Sequence, residues 1–441
     1  MSVTSAAPFL ETLAAPVGAP VGAPVGAAEP AWLGARRAAA RARFAEVGFP
    51  TRRHEAWRFT ELKGLTGTAF VPAPALPGNA TVVGERLCRL LSHANRLVFV
   101  NGRFDPDHSH ICTLPEGVFL GSFADWIAKN GEDAGLFEPA AGAPDAFRAL
   151  NQGLFTDGLA LIVQAGVALE HPVHVLYWGE ADASVSNQLK GLIRLGAGAQ
   201  ATVIESYAGK GKTWTNAAMG VEVADHAKLG HYRLQDEDLA AFHTGTLDVT
   251  IGADAVYDGF TLSLGAAMAR QDIQAKLVGE RAFCGVSGVY LLADRQESTV
   301  ASVIEHRAPH GETKEVFKGC LADRAHGVFQ GQIKVAQAAQ KTDAYQLNKT
   351  ILLGDRAVMD AKPELEIFAD DVKCSHGATV GDLDETAEFY LRSRGIAPEQ
   401  ARAMLIEAFV VDAVELVSHE QARDYLTDAI GRWLAFRHPE K

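Results

Sequence analysis

The chain has 441 residues, enough for two to four structural units at about 100 to 200 residues per domain. Its 41 Lys and Arg residues against 54 Asp and Glu residues give a formal net charge of −13, which is opposite to what general nucleic-acid binding requires. Apolar residues make up 48% of the chain, but no apolar run approaches the ~20 residues that span a bilayer. We therefore expect neither nucleic acid nor a membrane as a partner.

The N-terminal segment carries no recognisable targeting signal. It lacks a basic stretch before its apolar residues, and Pro8 and Pro16 interrupt those residues. Residues 15–26 repeat Ala-Pro-Val-Gly three times, which offers nothing to pack, so residues 1–30 are interpreted as a disordered leader. The five cysteines are scattered without a CxxC motif, which predicts no disulfide framework and a reducing, cytoplasmic location.

Residues 31–150 have the composition of a mixed, partly helical domain. The Ala- and Arg-rich stretch Trp32–Phe44 favours a helix. The tract Arg52–Thr60 mixes cations with large aromatic residues, and its spacing alone favours a surface packed by Trp57 and Phe59.

The central third of the sequence carries a recurring turn: an apolar residue, Gly or Ala, two variable residues, and Ala. The turn begins at residues 195, 223, 251 and 278 and, after a longer insertion, returns at 321 and 353. A spacing of about 28 residues, with strands and no helices between the turns, is typical of a solenoid, and a parallel β-helix is the simplest one. A β-sandwich is the alternative, but it gives no reason for a constant spacing. We assign residues 151–380 to this β-helix.

Residues 381–441 are predicted to form three helices. The first starts at Asp384 and is stopped by Gly395, the second starts at Pro398, and the third runs from about Glu420 to Phe436. The second helix carries an apolar stripe at helical spacing, which consists of Ala401, Met404, Leu405, Ala408 and Phe409. Three short helices bury little apolar surface by themselves, so their apolar faces must pack on the solenoid end, on each other or on another protein.

The tripeptide Gly211-Lys212-Thr213 looks like the end of a phosphate-binding loop. That loop needs a glycine where Ser206 stands, and the residues that follow are typical of a strand rather than a helix. The sequence also contains no GxSxG or HExxH motif. We therefore expect no directly bound nucleotide and no hydrolase site of these kinds.

The tract Pro363–Thr379 holds the candidate metal ligands Cys374 and His376. On a strand these two side chains share one face, with Cα atoms about 7 Å apart. Thiolate and imidazole suit iron or zinc, but two ligands cannot complete a tetrahedral site. Another chain, sulfide or distant residues would have to supply the rest. The alternative is a buried cysteine and a hydrogen-bonded histidine at the end of the solenoid.

A second polar cluster, Glu305–His310, places two imidazoles four residues apart around Pro309. A turn that needs this proline is the favoured explanation, unless the cluster lies close to Cys374 and His376 in space.

Five stretches of the sequence are considered together: Arg52–Thr60, Val328–Gly331, Tyr345–Leu353, Pro363–Gly381 and Phe389–Ile396. They resemble the SufD family of the SUF (SufBCD) iron-sulfur cluster assembly system. The resemblance extends from about Ala31 onward, and SufB-type sequences match the Cys374 tract less well.

This resemblance implies a right-handed parallel β-helix flanked by N-terminal and C-terminal helical domains. It also implies a non-catalytic scaffold subunit that pairs with SufB and with the ABC-type ATPase SufC. An iron-sulfur cluster would form transiently at the SufB–SufD interface, with His376 and the preceding Cys374 as candidate ligands. The C-terminal helices would bind SufC through candidate residues Phe389, Tyr390, Arg392, Arg394, Met404, Leu405 and Phe409.

The alternative is a β-helix enzyme of the polysaccharide-lyase type. Such an enzyme would normally be exported and would need charged residues at matching positions in successive repeats. The residues after the repeat alanines, such as Gln200, Lys228 and Val256, carry no consistent charge.

Overall fold

The computed structural model describes residue 12 and residues 30–75, 89–131 and 146–437. Almost all of the leader assigned to residues 1–30 lies outside the described residues. The helices are α1 (Ala31–Val47), α2 (Lys63–Thr66), α3 (Phe123–Asn130), α4 (Ala146–Leu154), α5 (Glu385–Ser393), α6 (Pro398–Val414) and α7 (Glu420–Arg437), with one 3-10 turn at Glu55–Trp57.

Most of the remaining chain is β-structure. The strands are β1 (Val71–Pro72), β2 (Asn95–Val100), β3 (Arg103–Phe104), β4 (Val118–Ser122), β5 (Leu159–Val163), β6 (Val173–Glu180), β7 (Val185–Leu195), β8 (Gln200–Lys210), β9 (Thr213–Val223), β10 (Lys228–Asp236), β11 (Phe242–Ile251), β12 (Val256–Ser263), β13 (Met268–Leu277), β14 (Phe283–Leu292), β15 (Glu297–His306), β16 (Glu312–Leu321), β17 (His326–Val335), β18 (Asp343–Leu352), β19 (Val358–Ile367) and β20 (Lys373–Gly381).

The strands form a two-sheet parallel solenoid, which confirms the predicted parallel β-helix. The odd-numbered strands from β5 to β19 make the first sheet, and the even-numbered strands from β6 to β20 make the second sheet. The chain alternates between the sheets, so one coil comprises two strands and there are about eight coils. Gln200 pairs with Lys228, which pairs with Val256, as the spacing in the sequence requires.

The repeated turns are the corners where the chain passes between the sheets. We call turns from the first sheet to the second corner 1, and turns from the second sheet to the first corner 2. The last alanine of the repeated turn is buried in the solenoid core at all six positions, namely Ala199, Ala227, Ala255, Ala282, Ala325 and Ala357. A larger side chain would not fit where the backbone folds over the interior.

The prediction of a longer insertion between the turns at residues 278 and 321 is wrong. Strands β14, β15 and β16 continue the solenoid without a break through this region. The repeated turns at residues 195 to 282 belong to corner 1, whereas those at 321 and 353 belong to corner 2. Both corners require a tight turn with a small residue, so the same sequence pattern occurs at both. When the pattern moves from corner 1 to corner 2, the spacing between successive turns increases, and this increase looks like an insertion.

Helices and loops cover the outer face of each sheet. On the first sheet, aromatic residues from the N-terminal region pack around Trp214, which is fully buried. On the second sheet, α6 and α7 share a core with outward-facing strand residues such as Tyr232 and Phe260. Among the described residues, no helix has both the length and the apolar character needed to cross a membrane.

The apolar stripe expected on α6 is only partly the buried one. The buried residues of this helix are Ala401, Ile406, Val410, Ala413 and Val414. Met404 is exposed, and Leu405 is half-buried. The sequence of α6 has apolar residues on more than one face, so helical spacing alone did not identify the face that packs on the solenoid.

Candidate functional site

At its C-terminal end the solenoid has two terminal strands, one in each sheet, and each of them is paired along one edge only. Within the described residues, β19 pairs only with β17 and β20 only with β18. Neither β19 nor β20 contains a fully buried residue. Large apolar side chains are exposed beside them, including Ile367, Phe368 and Val380. We call β19, β20 and the turn between them the open end. An unpaired strand edge beside exposed apolar groups is suited to binding another chain.

Cys374 and His376 lie on β20 at the open end. Cys374 is in register with Ala344, and His376 is in register with Gln346. Ala344 and Gln346 are buried in the solenoid interior, so the two β20 side chains stand on the face that continues this interior. Cys374 is half-buried and packs against the main core, whereas His376 is exposed. The last coil therefore presents a thiol and an imidazole side by side.

The protonation state of Cys374 limits what it can do in the isolated chain. Burial raises the pKa of its thiol above the ordinary value. Because the thiolate is the form that binds metal, the thiol must lose its proton when a metal arrives. The ring of His376 forms no hydrogen bond with any described residue, so both of its nitrogen atoms can interact with a partner.

A stack of polar side chains leads from the interior to His376. Glu315, Gln346 and His376 occupy the same register position on β16, β18 and β20. The Nε2 atom of Gln346 donates to Oε2 of Glu315 at 2.7 Å, and the Ser302 hydroxyl donates to Oε1 of Glu315 at 2.5 Å. The Oε1 atom of Gln346 is buried without a partner. Neighbouring strands are about 4.8 Å apart, so this acceptor lies one strand from His376.

The chain does not complete a metal site from the residues that the structure describes. These residues include no group of three or more His, Cys, Asp or Glu side chains that could hold a metal ion. Cys374 and His376 can supply two ligands, and a four-coordinate metal needs two more. The missing ligands would have to come from a partner or from the bound species itself.

The second polar cluster, Glu305–His310, has a structural role. His306 is buried, and its Nε2 atom lies 2.8 Å from the Thr313 hydroxyl oxygen. Burial lowers the pKa of His306 to about 4, so its ring is neutral at physiological pH. His310 adopts a positive φ of 59° in the corner 1 turn after β15, as a tight turn requires.

The candidate partner-binding residues of the C-terminal helices fall into two groups. Phe389 is 72% exposed on α5, and Tyr390 and Met404 are also exposed. Helix α5 is held to α6 by the Arg402 guanidinium, which donates to Glu388 at 3.3 Å. These exposed apolar residues lie on two neighbouring helices and are accessible to a partner.

The other candidate residues are occupied within the chain. Arg392 lies 3.8 Å from Glu388, and the guanidinium of Arg394 lies 5.0 Å from the centre of the Tyr390 ring. Phe409 faces the solenoid, where the ammonium group of Lys318 donates to its backbone oxygen at 2.7 Å and lies 4.9 Å from its ring centre.

The tract Arg52–Thr60 attaches the N-terminal region to the first sheet. The ring of Trp57 stacks on Phe147 at 5.0 Å, and the Arg270 guanidinium lies 3.7 Å from the centre of the Trp57 ring. Near the open end, Lys362 of β19 forms an ion pair with Glu55 at 2.7 Å. The packing expected of Trp57 is therefore present, and the tract extends to the last strand of the first sheet.

The Gly211-Lys212-Thr213 sequence forms a turn between β8 and β9. Thr213 begins strand β9, where it is buried, and no helix follows. The strand expected after this tripeptide is confirmed, and the geometry lacks the helix N-terminus that a phosphate-binding loop uses.

Comparisons with known proteins match nearly the whole chain. The family model "SUF system FeS cluster assembly, SufBD core domain" matches residues 177–409, and "SufBD protein N-terminal region" matches residues 24–175. The chain belongs to the SufBD family. This result supports the resemblance found in the sequence and favours cluster assembly over the polysaccharide-lyase alternative.

Individual SufBD relatives cover similar shares of the chain. A SufBD family protein of Synechocystis is 32% identical over 87% of this chain and 88% of its own length. The SufD protein of Escherichia coli is 31% identical over 88% of this chain and 90% of its own length. The chloroplastic protein ABCI7 of Arabidopsis thaliana is 28% identical over 85% of this chain and 81% of its own length.

The sequence did not reveal the polar residues beneath His376. Glu315 and Gln346 are far from residue 376 in the chain, and only the pairing of β16, β18 and β20 brings them into one column. Their alternation with apolar neighbours within each strand was the available signal, because an inward-facing Glu or Gln needs a hydrogen-bonding partner.

Proposed function

We propose that this protein is a non-catalytic scaffold subunit for iron-sulfur cluster assembly in the cytoplasm. It pairs with SufB through the open end of the solenoid, and the cluster forms at that interface as the product being assembled. The observation that carries the proposal is the position of Cys374 and His376 on the last, half-paired strand of a SufBD-family solenoid. A two-ligand site at an unpaired edge suits chemistry that a second subunit completes.

The side chains at the open end have distinct tasks in this proposal. His376 is exposed and offers an imidazole nitrogen to the assembling cluster. Cys374 is half-buried and contributes a thiolate once the metal displaces its proton. Gln346, held by Glu315, offers its free oxygen as an acceptor for the N–H of His376. That hydrogen bond would direct the other ring nitrogen outward.

The decisive experiment measures cluster content in the assembled complex. The full chain is co-expressed with SufB and SufC, the complex is purified, and iron and sulfide are measured per complex after reconstitution. We expect His376→Ala to lower both contents sharply and Cys374→Ser to lower them less, with the complex still assembled. His226→Ala, which removes an exposed histidine at corner 1, is the matched control. Normal loading in both site variants would exclude these residues as ligands.

We propose that SufC binds the exposed apolar residues of α5 and α6. Phe389, Tyr390 and Met404 project into solvent although α6 and α7 already bury their other faces on the second sheet. Replacing Phe389 and Met404 with Asp should abolish capture of SufC and leave capture of SufB unchanged. Val278→Asp, at an exposed apolar residue of corner 1, is the control. Unchanged SufC capture by the Phe389 and Met404 variant would place SufC elsewhere.

The chain is expected to hydrolyse no ATP itself, since SufC supplies that activity in this proposal. The turn at Gly211–Thr213 leads into a strand rather than a helix. The test is ATP turnover by the purified chain, compared with Lys212→Ala. Turnover that the Lys212 substitution abolishes would contradict the expectation.

A further inference from the structure

Three arginines form a column at corner 2. Arg295, Arg324 and Arg356 each lie two residues before the start of a first-sheet strand. Those strand starts, Glu297, His326 and Val358, are in register with one another. The arginines therefore occupy equivalent positions in three successive coils, about 4.8 Å apart along the solenoid axis.

Among the equivalent positions at corner 1, two pairs in successive coils carry opposite charges. Asp254 and Arg281 lie in successive coils there and form an ion pair with an N–O distance of 2.6 Å. Lys341 and Asp371 form another such pair one coil apart. At corner 1, opposite charges in neighbouring coils thus neutralise each other. At corner 2 the same position carries arginine in three successive coils, so opposite charges do not alternate along this column, although an aspartate (Asp294, Asp323 or Asp355) directly precedes each arginine.

The corner 2 arginines have free guanidinium groups. All three side chains are exposed, and none forms a hydrogen bond or ion pair with another described residue. The adjacent Asp294 and Asp323 have contacts of their own, and Oδ2 of Asp323 accepts the backbone N–H of Asp294 at 3.0 Å. Three guanidinium groups without a side-chain partner among the described residues therefore lie close together in a chain whose net charge is −13.

The arginines line a cavity of about 510 Å³. Its floor includes Gln296, which is buried and fixed by three hydrogen bonds: its Nε2 atom donates to the backbone oxygens of Leu264 and Ala266, and its Oε1 atom accepts from the N–H of Ala293. Asp294 and Asp323 also line the cavity, so its lining contains three arginines and two aspartates. The volume is in the usual range of about 300 to 1,000 Å³ for small-molecule sites.

We propose that Arg295, Arg324 and Arg356 bind an oligophosphate group in this cavity. Each guanidinium has a planar set of donors that matches two phosphate oxygens, and three of them in a row match an extended anion better than a single phosphate. The size of the cavity favours a small molecule over a protein segment. The site is separate from Cys374 and His376 and does not depend on the proposed function.

The test uses the full chain and inorganic tripolyphosphate as the probe, with binding followed by calorimetry at physiological salt. We expect saturable binding with one site per chain. Arg324→Gln should weaken tripolyphosphate binding at least tenfold because it removes the central guanidinium. The affinity of Arg324→Lys should lie between those of the unmodified chain and Arg324→Gln, because lysine keeps the charge but lacks the planar set of donors. Arg281→Gln, at the paired corner 1, should leave the affinity unchanged. Thermal unfolding of each variant verifies that the exposed substitutions preserve the fold.

A second ligand, ATP, identifies the source of the phosphate group. ATP that binds as tightly as tripolyphosphate supports recognition of the phosphates alone, and ATP that binds at least tenfold more tightly supports a nucleotide as the ligand. Absence of saturable tripolyphosphate binding by the unmodified chain overturns the proposal. An equal loss in Arg281→Gln and Arg324→Gln also overturns it, as does tighter, Arg324-dependent binding of a polyglutamate peptide.

Discussion

The two ends of the solenoid are built from similar strands but are finished differently. At the N-terminal end, β3 pairs antiparallel with β2, and β4 pairs antiparallel with β5. Phe99 of β2 is fully buried and stacks on Tyr177 at 5.2 Å. At the open end, β19 and β20 have no fully buried residue. The chain thus covers the N-terminal end of the solenoid, which we call the closed end, with its own strands. The strand edges of the open end remain accessible.

Under the proposed function, this difference separates the residues that stabilise the fold from those that bind a partner along the solenoid axis. Residues at the closed end are packed as in a protein core, so they contribute mainly to folding. Residues at the open end are half-exposed, so they contribute less to folding and are free to contact another subunit. The candidate ligands Cys374 and His376 lie at the open end, where no strand residue is fully buried.

The largest expected effect follows from shortening a buried side chain at the N-terminal end of the solenoid. Phe99→Ala should lower the free energy of unfolding by about 3 to 5 kcal/mol, because it removes a buried ring and leaves a cavity. Val380→Ala at the open end, where the side chain is 44% exposed, should cost less than about 1 kcal/mol. Urea unfolding of the isolated chain measures both. Equal losses would show that the two ends are equally packed.

The pH dependence of stability should distinguish two buried glutamates, one nearer each end. Burial raises the pKa of Glu315 from 4.5 to about 7, and the hydrogen bonds from Ser302 and Gln346 offset only part of this increase. The folded chain therefore holds this proton more tightly than the unfolded chain. The free energy of unfolding should fall by up to about 3 kcal/mol as the pH rises from about 4.5 to 7.

Glu315→Gln should remove that part of the pH dependence, as measured by urea unfolding at several pH values. Glu205, in the N-terminal half, provides the contrast. Its burial would raise its pKa, but Arg233 and His231 outweigh this effect and lower the pKa below the ordinary range. Its contribution should therefore be lost only in acid, as the pH falls below about 4.5. A Glu315→Gln variant with an unchanged pH profile would contradict the role of Glu315.

A smaller effect is expected from Gly331→Ala in the next-to-last coil. A Cβ atom at residue 331 would collide with the amide of Gln346 and lie 2.7 Å from Cζ of Phe329. Both neighbours are buried, so we expect a loss of about 1 to 3 kcal/mol in the free energy of unfolding. Gly354→Ala is the control, because the nearest atom to its Cβ would be 3.6 Å away. Similar unfolding midpoints for the two variants would show that the penultimate coil is loosely packed.

The solenoid could be predicted because its repeats leave a physical mark on the sequence. The recurring turns place a small residue such as Ala227 or Ala255 where the backbone folds over the core, and both are fully buried. The change from corner 1 to corner 2 could not be predicted, because both corners impose the same requirement. The face of α6 that packs on the second sheet was ambiguous for a similar reason, since Met404 and Ile406 are both apolar but only Ile406 is buried.

The candidate site was only partly accessible from the sequence. The spacing of Cys374 and His376 predicts a shared strand face because alternate residues of any strand point the same way. The hydrogen-bonded Glu315 and Gln346 beneath them depend on strand register, which pairs residues about one coil apart in the chain. The ion pairs of corner 1 and the unpaired arginines of corner 2 likewise emerge only when successive coils are stacked.

The smallest expected effect concerns His376 in the isolated chain. Its ring is exposed and forms no hydrogen bond with a described residue, so His376→Ala should change the free energy of unfolding by no more than about 0.5 kcal/mol. His306→Ala is the matched comparison, because this buried imidazole is hydrogen-bonded to Thr313, and its loss should cost about 1 to 3 kcal/mol. Urea unfolding of both variants measures the contrast. A large loss in His376→Ala would mean that the imidazole stabilises the last coil. A negligible loss, together with reduced cluster content in the complex, would show that it acts at the interface.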